Sequence, residues 1–306
     1  MKARRPHRAF FVSTISRPLP RPLLPLQLSS LVASSLIRIL SDLHYGDRSS
    51  ALTSLTQLTP LLDGVSQLIL NGDTLDTRPS STPERTAALL TDIRNFFAHS
   101  APPTTILTGN HDPDISEIHL HALLAGALFI THGDALFDDL VPWSRDAALA
   151  RQLVVRELSA LPPSERSQLH PLLSAYRRAA YAIPQRHHSD PHGLRYLLGF
   201  LQDTIWPPGR VFRVLRAWRE APHRAAAFVQ HHRLPARFFA MGHTHRCGIT
   251  HTPSGLIVLN TGSFCPPCAT GAIDITPDRL LFRRVERRQD AFHPGPVTAE
   301  FSLAPR

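Results

Sequence analysis

From position 36 onward the chain repeats one pattern: three to five apolar residues, then a polar cluster rich in Asp, His, Asn and Gly. The run 36–40 leads into Ser41-Asp42-Leu43-His44. The run 68–70 leads into Asn71-Gly72-Asp73-Thr74-Leu75-Asp76, and 105–107 into Thr108-Gly109-Asn110-His111-Asp112. Further along, 128–130 precedes Thr131-His132-Gly133-Asp134, and 238–241 precedes Gly242-His243-Thr244-His245. A last run, 256–259, precedes Asn260-Thr261-Gly262-Ser263. Short apolar runs bounded by Gly and Asn predict buried strands. Any one of them reads as an ordinary core strand. The recurrence of reactive side chains at their ends asks for a further account.

Helical periodicity appears between some of these runs. Thr82-Pro83 supplies an N-cap and first-turn pair, after which Leu89, Leu90, Ile93, Phe96 and Phe97 share one helical face. Strand, polar motif, helix and strand again predict an α/β fold, with functional groups on loops beyond the strand ends. Residues 138–236 break this rhythm. Amphipathic stretches near 144–158, 170–181, 194–205 and 211–218, punctuated by prolines at 162, 163, 184, 191, 207, 208 and 222, read as a helical insertion or cap. Its arginines, among them Arg177, Arg178, Arg213, Arg216 and Arg219, form either an anion-facing surface or ordinary solvated helix faces. Residues 1–35 hold five arginines, several prolines and no acidic residue. Their apolar stretches are cut by Arg17-Pro18-Leu19-Pro20-Arg21-Pro22, which a signal peptide would not contain, so the segment reads as a poorly ordered extension rather than an export signal. Residues 286–306 read as a C-terminal tail.

Composition narrows the class. With 42% apolar and 19% charged residues, 306 positions can bury a substantial core and do not read as a wholly disordered chain. No apolar run reaches the length of a membrane-spanning helix, although peripheral membrane contact stays open. Three cysteines make no disulfide framework, and a cytoplasmic location follows as the expectation. Cys265-Pro266-Pro267-Cys268 supplies two of the four ligands a structural zinc would need, and no fourth is evident even with Cys247. The net charge of +9 rests almost wholly on arginine, since Lys2 is the only lysine. That balance suits phosphorylated small molecules, lipids or nucleic acid. The absence of an aromatic-basic stacking motif disfavours the last.

The strand-end side chains carry the chemistry. Asp42, His44, Asp73, Asn110, His132, His243 and His245 are carboxylate, imidazole and amide donors without a thiolate. Such a set suits Mn first, and also Fe, Zn, Co or Ni. Seven donors exceed what one catalytic ion with an open position takes. They suit two ions sharing a carboxylate, roughly 3.5–4 Å apart. In Asp42-x-His44 and His243-x-His245 the spacing of two puts both side chains on one side of an extended segment.

The ordered blocks Asp-x-His, Gly-Asp-x-x-Asp, Gly-Asn-His-Asp, a lone His before Gly, and Gly-His-x-His resemble the calcineurin-like metallophosphoesterase family. The resemblance spans about residues 36–285 and implies a two-sheet sandwich flanked by helices. It implies one ion held by Asp42, His44, Asp73 and His245, and a second by Asp73, Asn110, His132 and His243. His111 matches the histidine that sits over the substrate phosphate, Asp112 would orient it, and Asp76 would lie just outside the ligands. The implied activity is hydrolysis of a phosphomonoester, phosphodiester or pyrophosphate by metal-activated hydroxide. The Gly-His-Thr-His-Arg block and the preceding insertion are similar to pyrophosphatases acting on UDP-2,3-diacylglucosamine, which typically carry arginine where this chain has His111. A nuclease and a non-catalytic metal-binding scaffold are the alternatives.

Overall fold

The computed structural model describes residues 35–185 and 209–304. The extension up to residue 34, the amphipathic stretch 194–205 and the His187/His188 pair lie outside them. In chain order the strands are β1 (Ile37–Leu40), β2 (Gln67–Asn71), β3 (Thr104–Leu107), β4 (His121–Leu123), β5 (Leu128–Ile130) and β6 (Phe238–Met241). They continue with β7 (Gly248–His251), β8 (Ile257–Asn260), β9 (Gly271–Ile275), β10 (Arg279–Arg288) and β11 (Ala291–Ser302). The helices are α1 (Thr59–Leu62), α2 (Pro83–His99), α3 (Ala147–Ala160), α4 (Leu169–Tyr181) and α5 (Gly209–His231).

Two mixed sheets result. One has the order β11-β10-β9-β1-β2-β3, the other β4-β5-β6-β8-β7. Within the first, β1, β2 and β3 run parallel. Within the second, β5, β6 and β8 do so. All six of the apolar runs read from the sequence are therefore strands of these two parallel groups, and the polar motif after each lies beyond a carboxyl end.

Alternation along the strands builds the layers. Ile39, Ile69 and Leu107 pack with Leu128, Ile130, Phe238, Ala240 and Leu259 in a core shared by both sheets. Their neighbours Leu40, Leu68 and Leu70 point the other way, onto Ile93, Phe96 and Phe97 of α2. On the outer face of the second sheet, Phe129, Phe239, Met241 and Val258 meet Ala217, Ala221 and Ala225 of α5. Each fully buried Leu, Ile or Phe contributes about 1.5–3 kcal/mol. The order is helix, sheet, sheet, helix, as the resemblance implies. No helix among the described residues is long and apolar enough to cross a membrane.

Two sequence expectations need correction. Pro222 does not end a helix, because α5 runs through it. The backbone bond lost at an interior proline costs about 3 kcal/mol, offset here by the alanine stripe packed on the sheet. The segment after 285 is no tail: β11 pairs antiparallel with β10 along almost its whole length. Pro294 and Pro296 obscure this strand in the sequence, but β11 is an edge strand, where proline is tolerated.

Candidate metal centre

The chain reaches the site through an unusual backbone. Asp42, His44, Asp73, His243 and His245 have φ of 54°, 47°, 52°, 62° and 55°. The Asp-x-His and His-x-His pairs are thus not extended, as spacing alone suggests. Left-handed residues turn each loop sharply, at a cost of order 1–3 kcal/mol apiece, and such strain persists only where its surroundings impose it. Here they do. Asp42 N–H donates to Gly72 O (3.1 Å), His44 N–H to Asp73 O (3.0 Å) and Gly242 N–H to His132 O (3.0 Å). Asn71 Nδ2 donates to Thr131 O (3.0 Å), tying the strand-end loops of one sheet to the other. Two glycines allow the close approach. A Cβ on Gly242 would collide with the Asp42 carboxylate and Ser41 Oγ, and one on Gly109 with the carboxylate and backbone nitrogen of Asp73.

The structure brings all seven sequence-derived donors to one place. Asp42, His44 and His245 form one group of mutually close ligand atoms, and Asp42, Asp73 and His132 another. Asp73 Oδ2 is 3.2 Å from His132 Nε2 and 3.9 Å from His44 Nε2, so this carboxylate stands between the two histidines. His245 Nε2 is 3.2 Å from Asp42 Oδ1 and 3.2 Å from His44 Nε2. Asn110 Oδ1 is 3.3 Å from His132 Nε2. His243 stands beside His132, with ring centroids 5.2 Å apart. The far nitrogens are held as well. His132 Nδ1 bonds Asn71 O at 3.0 Å, and His243 Nε2 bonds Leu140 O at 2.9 Å. Such bonds fix the tautomer and leave the opposite nitrogen as a donor.

Electrostatics shows what the group is built to hold. Burial pushes His44 and His243 down to about 4, so both are neutral imidazoles. Burial also opposes charge on His132 and His245, but Asp73 and Asp42 respectively outweigh it and raise each to about 10. Asp42 and Asp73 are held below the ordinary carboxylate range by these partners, against burial. Two buried carboxylates thus demand positive charge, and two further imidazoles are free to share lone pairs. The residues fit divalent cations, which bind deprotonated ligands and supply that charge.

His111 joins His44 and Asp73 in a third close group. Its backbone N–H donates to Asp73 Oδ1 at 2.8 Å. Asp112 does not orient it. The Asp112 oxygens accept the backbone N–H groups of Gly109 (2.7 Å), Asp73 (2.9 Å) and Thr74 (2.7 Å). Burial and the nearby Asp73 raise its carboxyl to about 7. The carboxylate that meets the His111 ring is Asp76, with Oδ2 at 3.0 Å from Nδ1. Arg78, which sequence reasoning missed, lies beside both, its Nη2 2.6 Å from Asp76 and 2.9 Å from His111 Nδ1. Its only signal was its place two residues after Asp76. Arg177 does not face an anion on the surface either; it is buried and paired with Asp134, two residues past His132. The turn after β8 supports the centre. Asn260 Nδ2 donates to Gly242 O (2.9 Å) and Thr244 Oγ1 (2.9 Å), and Phe264 N–H to Asp42 O (3.1 Å).

A sandwich of two mixed sheets thus gathers buried carboxylates and imidazoles, a candidate metal-binding set, beyond the carboxyl ends of its parallel strands. The family model described as calcineurin-like phosphoesterase matches residues 36–247, and the chain belongs to this family. No curated protein matches the sequence. Among solved structures, Vps29 from Chaetomium thermophilum is 12% identical, with 89% of this chain and 97% of that one covered and a TM-score of 0.42. A dimetal phosphatase from Danio rerio is 11% identical, with 88% and 98% covered and a TM-score of 0.42. Vps29 from Cryptosporidium parvum is 13% identical, with 88% and 98% covered and a TM-score of 0.39.

Proposed function

We propose that this chain is a dinuclear metal-dependent phosphoesterase acting on a phosphorylated small molecule or lipid. The observation that carries the reading is Asp73, a buried carboxylate standing between His44 on one side and His132 on the other. Asp42, His44, Asp73 and His245 would hold one ion; Asp73, Asn110, His132 and His243 would hold the other. Mn²⁺ is the first candidate, with Fe, Zn, Co and Ni the alternatives. When bound, the ions neutralise phosphate charge and make a water acidic enough to serve as nucleophile near neutral pH.

The chain's own residues supply the rest. Asp76 holds the His111 ring through Nδ1, which leaves the other ring nitrogen for the substrate. His111 then delivers a proton to the departing oxygen. Arg78 places a guanidinium beside this pair and adds positive charge where the phosphate oxygens are most negative. Asp112 keeps the Asp73 and Asn110 loops in register through its three backbone bonds.

Hydrolysis of chromogenic phosphomonoester and phosphodiester substrates tests this. Turnover should appear with Mn²⁺ and vanish on chelation. The variant His111→Ala should lose about 10²–10⁴-fold in turnover, with metal content by mass spectrometry unchanged. Metal bound without turnover on either substrate would instead favour the non-catalytic scaffold. Loss of metal in His111→Ala would show that its role is ligation.

A further inference from the structure

The helical insertion grips the His243-Thr244-His245 loop from two sides. Trp218 of α5 donates its Nε1 hydrogen to Thr244 O at 2.7 Å, and Arg246 Nη1 donates back to Trp218 O at 3.0 Å. From the other side, the segment between Phe137 and Trp143 lies against His243 itself. Leu140 O meets the imidazole Nε2 at 2.9 Å. A carbonyl only accepts, so the proton of the neutral ring sits on Nε2 and Nδ1 keeps its lone pair. The Trp143 ring centroid lies 5.2 Å from that of the imidazole, with the planes tilted by 40°, and the Phe137 ring follows at 5.8 Å. Aromatic rings at such separations are in packing contact.

Consecutive tight turns build this segment. The N–H groups of Leu136, Phe137 and Leu140 donate to Gly133 O, Asp134 O and Phe137 O at 3.2, 3.0 and 3.2 Å. Leu140 has φ of 57°, a left-handed conformation that a leucine keeps only where its surroundings impose it. Its side chain is buried in one cluster with Ala150 and Val154 of α3 and Tyr176 of α4. The strained residue therefore joins the core of the insertion to the imidazole. One hydrogen bond still lets a ring rock about the line from Nε2 to the oxygen. The half-buried Trp143, itself set edge-on to Phe137 at 6.4 Å, blocks that motion. The other histidines of the site have other neighbours: His44 and His245 pair with each other at 5.2 Å, and His132 pairs with His243.

We propose that Trp143 is a positioning residue for the second ion, the one that Asp73, Asn110, His132 and His243 would hold. Together with Leu140 O it locks the His243 ring, so that Nδ1 presents its lone pair to that cation without first losing rotational freedom. The inference rests on the metal-centre reading above. Partners that orient a ligand set metal affinity almost as strongly as the ligands do, by about 10–100-fold. Because Trp143 leans on His243, and not on His44 or His245, its removal is felt at one ion only. The insertion thereby takes part in holding metal.

Manganese loading of the full chain is the test. The metal-stripped chain is titrated with Mn²⁺ and followed by metal content and electron paramagnetic resonance. The unmodified chain should take two ions, and their shared carboxylate should give an exchange-coupled spectrum. Trp143→Ala should hold one ion, with the resolved hyperfine lines of an isolated Mn²⁺. It should need about 10–100-fold more free Mn²⁺ to regain the second. Trp143→Phe, which keeps a ring against His243, should restore the coupled spectrum. Two ions bound by Trp143→Ala at unchanged affinity overturn the proposal. Equal weakening of both ions does so too, since that is the mark of a general loss of structure. If Trp143→Ala does not fold, Trp143→Leu, with apolar volume but no ring, is read by the same criteria. Unfolding of both variants assigns Trp143 to the core and overturns the positioning role. An unmodified chain that binds no Mn²⁺, or never forms a coupled pair, sinks the dinuclear reading and this inference with it.

Discussion

Asp76 and Asp112 are carboxylates of adjoining motifs, Gly-Asp-x-x-Asp and Gly-Asn-His-Asp, and both lie close to His111 in the chain or in space. Their partners separate them. Asp112 accepts three backbone N–H groups in full burial, so Asp112→Ala would leave those donors orphaned. Each buried orphan costs about 1–3 kcal/mol, and urea unfolding should show at least one such loss. Where the variant still turns over, the shape of its pH–rate profile should not change; a shifted limb would restore Asp112 as the group that tunes His111. Asp76 behaves differently. Burial resists its charge, but Arg78 and His111 hold its carboxyl well below the usual range. A depressed native pKa contributes stability above the unfolded value near 4, and that contribution fades as the pH falls toward the native value. Asp76→Asn should therefore flatten the loss of urea midpoint between about pH 5 and 2. Parallel acid slopes for the two proteins would refute this. The sequence offered both aspartates as candidates; which one touches the ring depends on side-chain direction, and that is not a property of spacing.

At the scale of the element, the short parallel strands and their loops form one device. Alternation of Ile39 with Leu40, and of Ile69 with its neighbours Leu68 and Leu70, faces each strand to two different cores and so fixes its register. Fixed register delivers the next residues to the carboxyl edge, where left-handed turns aim the donors inward. The tolerance for added volume there is small. Gly242→Ala would press a methyl into the Asp42 carboxylate. It should lower the metal retained after dialysis while far-ultraviolet circular dichroism stays near normal. Gly209→Ala at the start of α5 meets open space and should retain full metal, as a control. Equal metal retention in the two variants would show that the loop yields more easily than its packing indicates. Strands β1, β2, β3, β5, β6 and β8 were legible because each is a short, largely apolar run stopped by a polar cluster containing Asp, His, Asn or Gly. Strands β10 and β11 were not: charged residues, mostly arginines, are interspersed through β10, and prolines interrupt β11.

Across the whole molecule the far carboxyl end of the chain reaches back to the site. Phe292 of β11 packs on Phe264, with ring centroids 4.8 Å apart, and Phe264 in turn bonds the Asp42 carbonyl. Phe292→Ala should cost about 3–5 kcal/mol by urea unfolding, and it should also loosen metal retention, because the turn after β8 loses its backing. A destabilised variant with unaltered metal affinity would separate the core from the site. Seen across sequence and structure together, the apolar runs and five ordered motifs determined the donor types, their placement at strand ends and an α/β class, because hydrophobic patterning and the chemistry of Asp, His and Asn are local properties; the two-sheet arrangement came only as what the family resemblance implies. Only the tertiary structure showed that Asp73 stands within 4 Å of both His44 and His132, that Asp76 rather than Asp112 meets His111, that Arg78 borders the centre, and that Arg177 is buried with Asp134. Each of those facts is a distance between loops of different strands, and such distances arise only when two sheets close on a shared core.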